Sequence, residues 1–335
     1  MQGEPLSPDE RPTLKTIAYL TGLGVTTVSR ALKDGPEIGE DTKQRVRLIA
    51  QQIGYRPNRA GVRLRTGKTN VISLILNTHE EGYGFISAMV YGISEALSAT
   101  PYHLVVTPHS LSDPMEPVRY IVETKSADGI IISRTEPNDP RVRYMQSQGF
   151  PFATHGRTEI EKPHAFYDYD NAEFAKEAIR NLVKRGRTKI ALLGPPNALY
   201  YHKHTVSGFL DGLKQVGLSA VVFDDVDSDR PMADIKAFGE KLGQSDDRPD
   251  GIVASSAMAA IALISGLEDS GRKVGQDFDI VAKQSTMPLN WYRKEIITID
   301  EDFREAGRYL ADSVLAVING AEPASLQHLA KPHAS

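Results

Sequence analysis

The chain contains no cysteine among its 335 residues. This absence excludes disulfide bonds, thiolate metal sites and cysteine nucleophiles. No apolar stretch reaches the length of about 18 residues that a membrane-spanning helix needs, so we expect no membrane partner. The first ten residues are polar and acidic, which predicts no signal peptide and a cytoplasmic location.

Signatures of catalysis are also scarce. Gly194–Pro196 is not a phosphate loop, because its prolines lack backbone donors, and no Gly-x-Ser-x-Gly nucleophile turn occurs. His202 and His204 would face the same way in an extended segment, but without a third ligand nearby they are a weak zinc signal. We therefore predict no metal, no cofactor and no enzymatic activity, with a stand-alone α/β enzyme as the alternative.

Residues 13–34 predict two short helices joined by a tight, glycine-containing turn. The hydroxyl of Thr13 can cap the first helix, and Gly22 permits the left-handed backbone with which that helix must end. A third helix is predicted from about Asp41 to Ile53. The three helices together predict a helix-turn-helix unit of the kind that reads DNA.

The second helix of this unit has an apolar side and a polar side. Val28, Ala31 and Leu32 are three and four residues apart, which predicts that they face inward. The opposite side can meet a thymine methyl group and hydrogen-bond to base edges or phosphates. We predict DNA contacts by Thr13, Val25, Thr26, Thr27, Ser29, Arg30 and Tyr55.

Charge separates the N-terminal segment from the rest of the chain. Residues 1–70 hold 12 basic and 7 acidic side chains, a net charge of +5, whereas the whole chain carries −4 and the remainder therefore −9. No acidic residue interrupts the basic run from Lys43 to Lys68. This separation favours a DNA-binding head over an ordinary three-helix bundle, and a transport-related binding protein would leave it unexplained.

Specific motifs then point to a family. The strongest are Thr27–Leu32 and Gly54–Ala60, and weaker ones are Asp128–Ile132, Asp168–Asn171, Gly208–Phe209 and Pro249–Ile252. With these motifs the chain resembles the LacI/GalR family of bacterial repressors over nearly its whole length. The resemblance implies a ligand-responsive transcriptional repressor whose homodimer binds a pseudo-palindromic operator, and it leaves a tetramer open.

The resemblance also implies a hinge helix that folds only on DNA and inserts a leucine into the minor groove. Here the hinge would span Asn58 to Arg65, with Leu64 as the inserted side chain and Asn58, Arg59 and Gly61 as further DNA contacts. A short helix interrupted by Gly61, which costs about 1 kcal/mol relative to alanine, should be marginal alone and fold on DNA. The alternative interpretation of Leu64 is a linker residue buried at a domain junction.

Beyond Asn70, short β-rich runs alternate with helical stretches, which predicts βαβ units with parallel strands. We predict an α/β fold class, in which an all-α head precedes a body of two Rossmann-like subdomains that resembles periplasmic sugar-binding proteins. The predicted strands are 71–76, 102–107, 129–133, 151–154, 189–193, 220–223, 251–254, 279–282 and 296–299.

The predicted domain boundaries follow from these elements. The DNA-binding head covers 12–56, the hinge or linker 57–69, the first effector-binding subdomain 70–169 and 301–320, and the second 170–300 and 321–335. The chain would cross between the subdomains near Tyr169, Asp300 and Gly320. The final helix, Asp302 to Ile318, would return to the first subdomain.

Folds of this kind bind their ligand between the subdomains, at the carboxyl ends of the strands. The loops that follow those strands offer aromatic rings that can stack on a sugar, and hydroxyl, imidazole, amide and guanidinium groups that can bind hydroxyls. The predicted effector site comprises Tyr83, Phe85, Arg157, Tyr200, His202, His204, Thr205, Ser255 and Gln284.

This predicted site departs from the family pattern. Thr205 stands where the family often has arginine, Ser255–Ser256 where it often has Asn-Asp, and Ala282–Gln284 where it often has a glycine, an aromatic residue and aspartate. We therefore expect a ligand that differs from those of the best-known members. A carbohydrate is the predicted effector, and Tyr201–Thr205 resembles regulators of α-glucoside and other disaccharide uptake. A non-sugar effector and co-repressor action remain alternatives.

Overall fold

The computed structural model describes residues 12–56, 63, 67–77, 83–109, 113–285, 289 and 293–334. The chain divides into two compact units, Met1–Thr69 and Asn70–Ser335. We call them the head and the body.

The described part of the head contains three helices, α1 (Leu14–Thr21), α2 (Val25–Ala31) and α3 (Glu40–Gln52). Thr13 caps α1 as predicted, since its hydroxyl accepts the Thr16 N–H while its own N–H donates to the Thr16 hydroxyl. Gly22 ends α1 at a φ of 68°. The core consists of Ile17, Ala18, Val28, Ala31, Val46 and Ala50, so the side of α2 predicted to face inward does so.

The body alternates strands with helices. Its first part contains β1 (Val71–Asn77), α4 (Tyr83–Leu97), β2 (His103–His109), α5 (Glu116–Thr124), β3 (Gly129–Ile132), α6 (Pro140–Ser147), β4 (Phe152–His155) and β5 (Ala165–Tyr169). The next part contains α7 (Asn171–Lys184), β6 (Ile190–Leu193), α8 (Tyr200–Gln215), β7 (Val221–Val222), α9 (Met232–Gln244), β8 (Gly251–Ala254), α10 (Ala257–Asp269), β9 (Asp279–Gln284) and β10 (Ile297–Asp300). The chain continues with α11 (Phe303–Ile318), a 3₁₀ turn (Pro323–Ser325), β11 (Gln327–Ala330) and β12 (His333–Ala334).

Two six-stranded sheets define the two subdomains. The first has the strand order β11-β5-β4-β3-β1-β2, and the second has the order β12-β10-β9-β8-β6-β7. All neighbours are parallel except the β10–β12 pair. Apolar clusters lie on both faces of each sheet, which explains why central strands such as β3 and β8 are buried along their whole length. The nine predicted strands are present, each within two residues of its predicted ends.

The chain crosses between the subdomains three times. Two crossings follow Tyr169 and Asp300, and the third lies beyond its predicted position near Gly320. Gln327–Ala330 pairs in parallel with β5 and so belongs to the first subdomain, and the chain crosses only after Ala330. The predicted assignment of 321–335 to the second subdomain is therefore corrected. Neither β5 nor β11 has the continuous apolar run that signals a buried parallel strand.

Glycines let α4 and α11 pack backbone against backbone. A Cβ atom on Gly92 would lie 2.0 Å from the carbonyl oxygen of Arg304, and one on Gly307 would lie 2.3 Å from that of Met89. This close contact holds α11 in the first subdomain, as predicted for the final helix. Among the described residues, every helix is too short or too polar to cross a membrane.

His164 is a buried imidazole in the first subdomain, 5% exposed and stacked against Phe152. The Thr154 hydroxyl donates to the Gly156 carbonyl, so His164 Nε2 donates to that hydroxyl at 3.0 Å. Burial lowers the pKa of His164 to about 4, against a smaller opposing effect of the Asp139 carboxylate. The folded protein therefore holds His164 neutral at pH values where the unfolded chain protonates it.

We expect His164 to make the body acid-sensitive. Its pKa in the folded protein lies below its pKa in the unfolded chain. Its contribution to the free energy of unfolding is therefore complete above pH 6.5 and decreases as the pH falls towards 4. Between pH 7.5 and 5 this group should remove about 2 kcal/mol of the free energy of unfolding. Urea denaturation at both pH values would measure the loss. His164→Phe, which keeps an aromatic ring at this position, should show a loss smaller by that amount, and an equal loss in both proteins would contradict the assignment.

Candidate DNA-binding surface and effector cleft

The solvent-facing side of α2 carries the side chains predicted to contact DNA. Val25, Thr26 and Arg30 are exposed, whereas Thr27 and Ser29 are half-buried. The Arg30 guanidinium lies 3.4 Å from the Glu37 carboxylate, and both side chains are about half exposed. An ion pair of this kind contributes little, so Arg30 can exchange Glu37 for a phosphate or a base edge at small cost.

Part of the basic run stabilises the head itself. Lys43 and Arg47 lie 3.2 and 2.8 Å from the Asp34 carboxylate, and the Arg45 guanidinium donates to the Thr21 carbonyl at the end of α1. These three cations connect α3 to the rest of the head. In the sequence these cations belong to a run without acidic residues, because their partners Asp34 and Thr21 come earlier in the chain.

The structure describes only some of the remaining predicted DNA contacts. Thr13 uses its hydroxyl in the α1 cap, and Tyr55 is half-buried against the core of the head. The hinge residues Asn58, Arg59, Gly61 and Leu64 lie outside the described residues, and their roles stay predictions.

In the body, the carboxyl ends of the strands of the two subdomains meet. The Tyr200 N–H at the start of α8 donates to the Thr135 carbonyl in the loop after β3, at 2.8 Å. Tyr169 at the end of β5 donates its hydroxyl to the Asp300 carbonyl at the end of β10, at 3.1 Å. The space between these ends, which we call the cleft, is therefore lined by loops of both sheets.

Three buried polar atoms of predicted effector residues find no hydrogen-bond partner among the described residues. They are His204 Nε2, Ser255 Oγ and Gln284 Oε1. Ser255 and Gln284 follow or end the adjacent strands β8 and β9, and His204 lies in the first turns of α8. Buried polar groups are nearly always satisfied, so three of them without described partners, on elements that follow or end neighbouring strands, indicate a place for a polar ligand.

Arg157 and Tyr200 lie near His204. The Arg157 Nε donates to the Asp168 carboxylate at 2.5 Å, and the Tyr200 ring meets the His204 ring edge-on with centroids 4.6 Å apart. Burial lowers the pKa of His204, and the positive charge of Arg157 lowers it further. His204 therefore presents a neutral imidazole, which can donate to or accept from a hydroxyl group.

For the other predicted effector residues the structure shows partners within the protein or gives no side-chain description. His202 and His204 lie on a helix rather than in an extended segment, two residues and about 200° apart. His202 bonds to the Pro195 carbonyl at 2.7 Å, and the Thr205 hydroxyl donates to the Tyr201 carbonyl within α8. No group of three potential metal ligands occurs in the part of the chain that the structure describes. Tyr83 and Phe85 lie in the first turn of α4, and their side chains are outside the description.

A buried ionic cluster joins the subdomains beside the cleft. The Lys283 ammonium lies 2.8 Å from the Glu301 carboxylate and donates to Asn171 Oδ1 at 3.0 Å, and His155 Nε2 lies 3.3 Å from the same carboxylate. Burial alone would raise the pKa of Glu301, but Lys283 and His155 together lower it to about 2. The Lys283 ammonium also lies over the ring of Tyr169, at 5.3 Å from its centroid.

Sequence reasoning did not select this cluster or the carboxylate beside Arg157. Lys283 had a signal, since it stands where the family often has an aromatic residue. Asp168 had one too, as part of a recognised motif. Glu301 and His155 had none, because their relation to Lys283 depends on contacts across the two subdomains.

Comparison with known proteins assigns the chain to a family. The sequence profile of the bacterial regulatory proteins of the lacI family matches residues 13–58, and the profile of the periplasmic binding proteins and sugar-binding domain of the LacI family matches residues 69–331. The chain belongs to the LacI family. The prediction of a regulator rather than an enzyme is thereby confirmed, as is the division into a helix-turn-helix head and a periplasmic-binding-protein-like body.

Individual relatives agree with this membership. The chain is 29% identical to the HTH-type transcriptional regulator RafR of Escherichia coli, with 94% of each chain covered. It is 28% identical to the regulator AglR of Rhizobium meliloti, over 91% of this chain and 87% of that protein. Among solved structures, a lac repressor dimer bound to operator and the anti-inducer ONPF matches with a TM-score of 0.82 at 18% identity, covering 96% of this chain and 97% of that one. A complex of the regulator CelR with cellobiose matches with a TM-score of 0.69 at 21% identity, covering 97% and 98%.

Lys283→Met should destabilise the body strongly, because it leaves the Glu301 carboxylate buried without its main counter-charge. We expect a loss of about 3–5 kcal/mol in the free energy of unfolding. The double variant Lys283→Met/Glu301→Gln removes both charges and should recover most of that loss. Chemical denaturation of the three proteins at pH 7.5 measures both effects, and a double variant no more stable than the single one would contradict the assignment.

Proposed function

We propose that the chain is a ligand-responsive transcriptional repressor that acts in the cytoplasm. Its homodimer binds a pseudo-palindromic operator, and a small carbohydrate in the cleft sets its affinity for DNA. The observation that carries the proposal is that buried polar atoms of His204, Ser255 and Gln284 lack partners among the described residues, in a body that belongs to a family with sugar-binding domains.

The chemistry of the cleft suits a polyhydroxylated ligand. Each hydroxyl group can both donate and accept, so it can satisfy an imidazole nitrogen, a serine hydroxyl or an amide oxygen in turn. The Tyr200 ring offers an apolar surface next to these groups. The cellobiose in the CelR complex supports the same class of effector.

The head supplies the DNA-binding part of the proposal. The exposed side of α2, with Val25, Thr26 and Arg30, has the size and chemistry that enter a major groove. The operator-bound lac repressor dimer supports operator binding by two heads. The effector acts by linkage: if it binds one arrangement of the body more tightly, it shifts the population between DNA-binding and non-binding states.

Ser255→Ala tests the effector site. The Ser255 hydroxyl has no partner within the described part of the chain, so its removal should leave stability unchanged and weaken effector binding about 10-fold. Titration calorimetry with the mono- or disaccharide that most raises the melting temperature measures this change. Thr205→Val is the matched control, because that hydroxyl is used within α8, and it should leave the affinity within about two-fold. Equal effects of the two substitutions would contradict the site.

Leu64→Ala tests the hinge, which is proposed from the family resemblance alone. The truncated side chain cannot open a base step, so specific binding should weaken far more than non-specific binding. Fluorescence anisotropy with operator and random DNA at the same salt concentration gives both affinities. Equal losses on the two DNAs would overturn the role of Leu64.

A further inference from the structure

The loop after β3 holds two contacts to the second subdomain side by side. The Arg134 guanidinium forms an ion pair with the Asp229 carboxylate, which lies in the loop after β7. The next residue, Thr135, accepts the N–H of Tyr200 at the start of α8, at 2.8 Å. One short loop is therefore connected to two elements of the other sheet, once by charge and once by the backbone.

A second ion pair crosses between the subdomains in the opposite sense of charge. The Lys203 ammonium, in the first turn of α8, lies 2.5 Å from the Glu159 carboxylate in the loop between β4 and β5. The two side chains are 68% and 35% exposed, so water and salt reach this pair. We call the two ion pairs, together with the hydrogen bond between Thr135 and Tyr200, the latch.

Strand order places the latch on the far side of the cleft from the chain crossings. In the second sheet the crossings lie at the edge formed by β10 and β12, whereas the latch is held by elements that follow β6 and β7, at the opposite edge. Ser255 and Gln284 follow or end β8 and β9, which lie between these two edges. A ligand bound by these two residues therefore has the crossings on one side and the latch on the other.

Buried groups hold the first-subdomain side of the latch in place. Arg134 has a left-handed backbone, with a φ of 57°, which a non-glycine residue adopts only at an energetic cost. The buried Arg141 donates to the Arg134 carbonyl at 2.9 Å and is itself paired with the completely buried Asp139. An interior ion pair thus fixes the backbone from which the Arg134 side chain crosses the cleft.

The second-subdomain side of the latch is organised by its own turn. The Asp227 carboxylate accepts the Asp229 N–H at 2.9 Å, and the Ser228 N–H donates to the Gly194 carbonyl after β6 at 2.8 Å. The loop that carries Asp229 is therefore attached to the neighbouring strand. Because both ends of the pair between Arg134 and Asp229 are held by their own loops, closing the latch orders little additional backbone.

We propose that the latch is a gate for the effector: it opens to let a ligand enter or leave the cleft, and it closes again behind it. Ion pairs that solvent reaches form and break at low cost, whereas the buried pair of Lys283 and Glu301 on the crossing side is costly to break. The subdomains therefore separate at the latch and pivot at the crossings. The gate rests on the proposed function, since that function places the effector in the cleft.

Hydrogen exchange at the Tyr200 amide tests the latch without any ligand. The first N–H groups of a helix have no partner within the helix, and Tyr200 begins α8, so its protection comes from the Thr135 carbonyl across the cleft. The variant Glu159→Lys/Asp229→Lys turns both attractions into repulsions. In the full-length protein, mass spectrometry resolved to single amides should show about 10-fold faster exchange at Tyr200. Exchange as slow as in the wild type would overturn the latch.

A charge swap separates the latch from a general effect of added lysines. Lys203→Glu added to Glu159→Lys restores an attractive pair, so exchange at Tyr200 should return to within about two-fold of the wild type. Asp269→Lys is the matched control, because it reverses the carboxylate that pairs with Lys236 within the second subdomain, and it should leave this exchange unchanged. A swap that exchanges as fast as Glu159→Lys alone would contradict the role of this pair.

Stopped-flow kinetics test the gate itself. The probe is whichever of glucose, galactose, maltose, cellobiose and melibiose most raises the melting temperature. An uncharged sugar is not steered by the field of the protein, so any effect of salt on its rates reports on the protein. Raising the salt concentration from about 50 to about 500 mM should speed association and dissociation about three-fold in the wild type, because it screens the latch.

Glu159→Lys/Asp229→Lys should bind and release the same sugar about 10-fold faster at low salt, without further acceleration by salt. Its Kd should stay within about three-fold of the wild type, because a gate slows passage in both directions equally. Rates that match the wild type, or a change in dissociation alone, would overturn the gate and leave the proposed function intact. Binding of none of the sugars would overturn the proposed effector class and the gate with it, while exchange at Tyr200 would still decide whether the latch exists.

Discussion

The buried ion pair of Lys283 and Glu301 organises the place where the two subdomains join. Lys283 belongs to a strand of the second sheet, and Glu301 belongs to a crossing segment. Asn171 accepts a hydrogen bond from Lys283 and lies at the start of the helix that follows the crossing after Tyr169. His155 of the first sheet lies against the same carboxylate. An ionised carboxylate in the interior must keep its counter-charges, so these segments are held in one arrangement.

This join is adjacent to the proposed effector site along the chain. Lys283 contacts Glu301, and its neighbour Gln284 donates to Asp300, so two consecutive residues of β9 contact the last residue of β10 and the residue that follows it. A ligand bound by Gln284, as proposed, acts on the strand that carries the join. This proximity provides a short physical route from effector binding to the relative arrangement of the subdomains, in which a differential affinity for one arrangement becomes a shift in population.

The distribution of charge serves different purposes in the two units. In the head, Lys43, Arg45 and Arg47 stabilise the packing of α3, and the exposed Arg30 has only a weakly held partner. At the cleft, the cations are paired with carboxylates that are almost completely buried. A cation that is loosely paired at the surface remains available to DNA, whereas one paired with a buried carboxylate is held in a fixed position.

Sequence alone determined the features that depend on local spacing: the helices of the head with Thr13 and Gly22 at the ends of α1, nine strands of the body, and the crossings at Tyr169 and Asp300. It also predicted which loops meet at the cleft, because the ends of parallel strands converge in this fold. Tertiary structure alone decided that β11 joins the first sheet, that His204 rather than His202 has a partnerless nitrogen, that the Thr205 hydroxyl is used within its helix, and that Lys283 meets Glu301. The physical reason is that edge-strand pairing, the phase of a helix against its surroundings and the partner of a buried charge all depend on residues far apart in the chain, which no local pattern encodes.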